Sequence, residues 1–118
     1  LLPEVFISEE SVPPTWNDPE FTSKLTSVWS DRFGKDVFVQ GKRLGMGAED
    51  FPLFTADPYI PSTYFAVGGT PKSAFEEESR GGTPVPSHHS PLFKIEPRAS
   101  VILGVEATVS ALLSIMEP

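Results

Sequence analysis

The 118 residues contain no cysteine, which excludes disulfides, thiolate metal sites and cysteine nucleophiles. Histidine is almost as scarce. His88 and His89 are the two present, so imidazole chemistry is confined to one dipeptide. Bases are also few: nine Lys and Arg against 16 Asp and Glu leave a formal net charge of -7. A nucleic-acid footprint needs clustered Lys and Arg, and that balance excludes one. Neither a phosphate-cradling glycine loop nor a Gly-x-Ser-x-Gly elbow occurs, and there is no internal repeat. The Gly45-Met46-Gly47 spacing lacks a third glycine and a strand–helix context, so it does not indicate dinucleotide binding. The chain opens Leu1-Leu2-Pro3, without an initiator Met or a signal peptide. The expectation is of a piece cut from something longer, cytoplasmic by default.

What is present supports folding. Nine Phe and two Trp within 39% hydrophobic residues supply a core, and the length allows at most one compact domain. Val5-Phe6-Ile7 predicts a short strand ended by Pro13-Pro14. Asn17-Asp18-Pro19-Glu20 is a helix start, with Asp18 as cap, Pro19 at the first helical position and Glu20 at the positive end of the dipole. Phe21, Leu25, Val28, Trp29 and Phe33 then fall on one face, and Gly34 supplies the stop. Two further strands are expected, at residues 36–40 and 62–67. A flexible stretch is expected at 41–47 and a helical turn near Glu49. Thr70 to Ser90, with its prolines and the acidic run Glu76-Glu77-Glu78, is expected to be a long solvated loop. The last element is an apolar helix from Glu96-Pro97 to about Met116. A membrane span needs about 20 apolar residues. Glu106, many Ser and Thr, and a mean hydropathy of -0.10 for the chain favour instead a helix covered on most sides by protein, and since the rest of so short a chain could hardly cover it, a missing partner surface is expected.

Chemistry-bearing residues are few. Neutral imidazole ligates Zn, Mn, Ni or Co, but adjacent side chains point different ways, so at most one of His88 and His89 would serve a given ion. On residue chemistry alone, two solvated loop histidines are favoured over a ligand. Glu49 and Asp50 have two open readings, acids that cap the first turn of a helix or residues at an active-site rim.

Four blocks in order carry a resemblance: Pro14-Thr15-Trp16-Asn17-Asp18, Met46-Gly47-Ala48-Glu49-Asp50-Phe51, Tyr64-Phe65-Ala66-Val67-Gly68 and His89-Ser90-Pro91-Leu92-Phe93. Together they resemble the C-terminal stretch of the metal-dependent amidohydrolase and peptidase family that contains hippurate hydrolases, N-acyl-amino-acid deacylases and auxin-conjugate hydrolases. The resemblance implies an α/β fold, the C-terminal portion of a zinc-peptidase-like catalytic domain with a central sheet flanked by helices. Residues 1–14 would be the last strand of an inserted α+β lid or dimerisation domain, and 15–118 the catalytic portion. It implies that His89 is a metal ligand and that Glu49 and Asp50 shape the active site, with no catalytic residue in this chain. Ala48 stands where Ser is common in the family.

The implied cofactor is a pair of divalent metals per subunit (Zn, Mn, Ni or Co) in the intact enzyme. The implied substrate is an N-acyl amino acid or small peptide whose amide bond is cleaved by a metal-activated water. The family's general-base Glu and other metal ligands lie in N-terminal segments with no match here, so the chain is expected to be inactive alone. The implied partners are the missing N-terminal part and a second copy in a homodimer, with no nucleic acid and no membrane. The competing expectation is a small acidic α/β interaction module without catalytic activity.

Overall fold

A computed structural model describes residues 2–7, 9–39 and 49–116. The stretch expected to be flexible, 41–47, together with Gln40 and Ala48, lies outside the described residues. The chain divides into two compact units, Leu1–Tyr64 and Phe65–Pro118. The expected α/β fold with a central sheet is corrected by the structure. Among the described residues there are three α-helices and no strand, with one isolated antiparallel bridge between Ala56 and Tyr59.

The reason lies in pairing. A β-strand is stable only when neighbouring backbone takes up its N–H and C=O groups. Residues 2–7 have no such ladder, and Val5, Phe6 and Ile7 stand exposed. Val37 falls instead in a short 3-10 turn, Lys35–Val37. At 62–67 a side chain replaces the missing strand. Asn17 donates from Nδ2 to the Tyr64 carbonyl at 2.9 Å, and its Oδ1 accepts from the Tyr64 amide at 2.8 Å.

In the first unit, α1 spans Pro19–Phe33 with the expected bounds. The Asp18 carboxylate accepts from the Phe21 amide at 2.8 Å, satisfying one of the orphan donors of the first turn. Gly34, at φ +84°, ends the helix, and its amide donates to Ser30 O at 2.9 Å. The apolar stripe behaves as its spacing requires. Leu25 (3% exposed) and Trp29 (7%) are buried, while Phe21, Val28 and Phe33 are half-buried. Each full burial of that kind stabilises by about 1.5–3 kcal/mol. The N-terminal turn is tied to the segment ahead of Tyr64, through Asp18 N to the carbonyl of buried Ser62 at 2.9 Å and through the Thr22 and Thr63 hydroxyls at 2.9 Å.

In the second unit the expected long loop contains a helix, α2, over Lys72–Ser79. Its prolines lie outside the helix, where they do not break it, and Ala and Glu propagate it. Gly81 closes it at φ +84°. The Gly81 amide reaches Glu78 O at 2.9 Å and the Gly82 amide reaches Glu77 O at 3.0 Å, the two bonds of a Schellman motif. The acidic run 76–78 is therefore exposed helix rather than loop.

Helix α3 spans Pro97–Met116. The loop before it is held by Glu96 N donating to Gly69 O at 2.8 Å. Within α3 only the small Ala107 and Ala111 are buried, while Val101, Val105, Leu112 and Leu113 are exposed. The described residues leave α3 largely uncovered, as expected of so short a chain. An all-round apolar helix needs cover on every face, and a short unit built of α2 and loops supplies little. Among the described residues α3 is the helix long and apolar enough to cross a membrane, with mean hydropathy 1.8 and 11% of the window buried. Core helices of soluble proteins meet the same criterion of length and composition.

Candidate functional site

Glu49, Asp50 and Tyr64 lie in the first unit and His89 in the second. Around Glu49 the local chain is short of backbone partners, because Phe51–Phe54 is a single 3-10 turn opening at Asp50. Glu49 Oε1 accepts from the amides of Asp50 (3.0 Å) and Phe51 (3.4 Å), and Oε2 accepts from the Tyr64 hydroxyl at 2.8 Å. The carboxylate thus caps the turn and holds a phenol with its other oxygen. Phe51 packs on the same Tyr64 ring at 5.3 Å between centroids, tilted by 46°. Asp50 makes no side-chain cap bond and is exposed, leaving its carboxylate turned to solvent.

The Tyr64 and Asn17 contacts bring together residues 47 positions apart. Both lie in the blocks that carry the family resemblance, yet nothing in the spacing shows that one clamps the other. A second phenol–carboxylate pair sits beside it. Tyr59 donates to Asp18 Oδ2 at 2.6 Å. The Phe21 amide, and then the Tyr59 hydroxyl, hold the Asp18 carboxyl below its ordinary value. The hydrogen bond to Asp18 in turn raises the Tyr59 phenol, with partial burial and the Asp18 charge adding to it. Both effects stabilise the ionised carboxylate and the neutral phenol.

His89 sits on a tight exposed loop. Ser90 N donates to Ser87 O at 2.9 Å, Phe93 N to Ser90 O at 3.0 Å and Leu92 N to Ser90 Oγ at 3.1 Å. Pro91 removes one further donor and stiffens the turn. The His88 and His89 rings meet edge to face at 4.4 Å, and both side chains are exposed. Among the described residues no group of three or more His, Asp or Glu side chains could hold a metal ion. The residues present therefore do not amount to a metal site, and His89 offers one imidazole donor at most.

Beside this loop, and overlooked in the sequence, is a cavity of about 470 Å³. Ala74 and Glu77 of α2 form one side of it, Pro84, Val85 and Pro86 another, with Leu92 and Lys94 contributing from beyond the histidines.

With the geometry in place, known proteins supply one comparison. Over 86 residues, 73% of this chain, the sequence is 31% identical to the IAA-amino acid hydrolase ILR1-like 2 of Arabidopsis thaliana. The similarity is to a hydrolase. The matched stretch is 17% of that protein, so the chain spans about a sixth of the length of the curated relative it matches. Amidohydrolase-like ancestry, at low identity, is what this similarity supports. No family model matches the chain, and no solved structure matches it.

Proposed function

We propose that these 118 residues are the C-terminal part of an amidohydrolase that cleaves the amide bond of N-acyl amino acids. The observation that carries this reading is the 86-residue similarity to a hydrolase of IAA-amino acids. The paired Glu49-Asp50-Phe51 and His89-Ser90-Pro91-Leu92-Phe93 motifs support it. In the longer protein His89 gives one donor to a divalent-metal site whose other ligands lie outside this chain. Glu49 and Asp50 shape the site, Glu49 through its bond to Tyr64. No catalytic step is assigned to the chain alone; among its described residues no group of three or more His, Asp or Glu could hold a metal ion.

Two experiments test the reading. In the longer protein, His89→Ala lowers the metal content per subunit and abolishes hydrolysis of hippurate-like amides, and unchanged metal content refutes the role of His89. The purified 118-residue chain does not hydrolyse hippurate with added Mn or Zn, and turnover there refutes the claim that it is incomplete. A second reading, a small acidic interaction module, is favoured by one observation, the exposed apolar side chains of α3. It predicts that a longer transcript does not exist.

A further inference from the structure

The start of α1 and the Glu49 turn are joined by a series of polar contacts whose first links the hydrolase reading leaves unused. Asn17 is the chain's single asparagine. Its planar amide takes both backbone groups of Tyr64, donating from Nδ2 to the carbonyl at 2.9 Å and accepting at Oδ1 from the amide at 2.8 Å. One side chain thereby fixes the main chain of a residue 47 positions away. Aspartate has no donor for that carbonyl and alanine has neither group, so the pair of bonds requires a carboxamide. Neighbouring contacts hold the same segment. Asp18 N reaches Ser62 O at 2.9 Å, and the Thr22 and Thr63 hydroxyls meet at 2.9 Å.

A side chain carried on a fixed main chain and packed on one face has little freedom left. The Tyr64 ring packs on Phe51 at 5.3 Å between centroids, and its hydroxyl donates to Glu49 Oε2 at 2.8 Å. Glu49 Oε1 accepts from the amides of Asp50 at 3.0 Å and Phe51 at 3.4 Å. The carboxylate is planar, so a donor that fixes Oε2 also sets the angle at which Oε1 meets those two amides. The links run in one order, from Asn17 to Tyr64 to Glu49 to the turn, and all lie in the first unit.

We infer that Asn17 and Tyr64 are positioning residues for the Glu49-Asp50-Phe51 turn, so that the direction of the exposed Asp50 carboxylate is set from the residue ahead of the α1 cap. This rests on the hydrolase reading for what the turn serves, and on the contacts above for how it is held.

The test is amide hydrogen exchange by NMR on the 118-residue chain, paired with turnover of the longer protein. Tyr64→Phe keeps the ring and the Asn17 bonds and removes the phenol oxygen. That variant and Asn17→Ala should each lower protection of the Asp50 and Phe51 amides roughly fivefold, with the Leu25 and Trp29 amides of α1 unchanged. The double variant should lose no more than either single one, because both act through the same bond to Glu49. Additive losses, unchanged protection in either single variant, or an equal loss at Leu25 and Trp29 overturns the inference. In the longer protein each substitution should lower kcat/KM for hippurate roughly tenfold at unchanged metal content, and full activity there overturns the positioning role. Failure of the unsubstituted longer protein to hydrolyse hippurate refutes the hydrolase reading and does not alter the exchange result, so each can fail alone.

Discussion

Helices α1 and α3 form with equal regularity and differ in what they bury. In α1, 15 residues carry one apolar stripe and cover Leu25 and Trp29. In α3, 20 residues spread apolar side chains beyond a single stripe, broken by Arg98, Glu106 and several Ser and Thr, and cover two alanines. The difference teaches that hydrogen-bonded helix formation and burial are separate matters. Local signals suffice for the first, while the second needs a surface of matching extent. On the proposed reading, the surface that matches α3 belongs to the remainder of the hydrolase.

The comparison can be broken most forcefully at Leu25. Replacing it by Ala should cost about 2–5 kcal/mol in urea unfolding, and a loss close to zero would place the core elsewhere. Next comes the α2 stop. Gly81→Ala puts a Cβ at φ +84° and should cost about 1–2 kcal/mol, shifting the amide resonances of Val85 and Pro86's neighbours as the cavity wall moves. Smaller again is the cap of α1. Because the folded-state pKa of Asp18 is depressed, its contribution is complete above the unfolded value near 3.8 and is lost as pH falls through the folded value. Tyr59→Phe should move the Asp18 titration, followed by carboxyl NMR, back towards the ordinary range. An unchanged titration would show that the Tyr59 bond does not form in solution. The smallest effect belongs to α3. Val105→Ser or Leu113→Ser should change the stability of the isolated chain by no more than about 0.5 kcal/mol, and a large loss would show that α3 is already covered.

What was legible in the sequence divides along the same line. The bounds of α1 could be read because Asp18, Pro19, the i, i+4 stripe and Gly34 act within a few residues of one another. The limits of α3 followed from periodicity, and its exposure from the shortness of the chain, which has too little else to cover an apolar helix of 20 residues. The strands expected at Val5–Ile7 and at 62–67 do not form because β-branched and aromatic runs carry a preference that only a distant partner can realise. At Tyr64 that partner is the Asn17 amide, and no local pattern marks it. Helix α2 lies inside the stretch expected to be loop because the prolines of that stretch flank the helix and do not fall within it. Pro71 precedes the helix and Pro84 follows its glycine stop, so neither interrupts it.

The candidate residues fared similarly. The capping role of Glu49 could be weighed from its neighbours, and the structure shows those amide bonds. Its bond to Tyr64, 15 residues away, could not. The cavity that Lys94 lines could not be read from the sequence, because it is assembled from α2, the Pro84–Pro86 segment and the residues after the histidines.

The central claim, that this chain is one part of an amidohydrolase, is tested most directly by sequencing the transcript upstream of Leu1. The account predicts a continuous reading frame that encodes a His- and Asp-containing metal-ligand segment ahead of these residues. An initiator codon at this boundary, with no such segment before it, would contradict it.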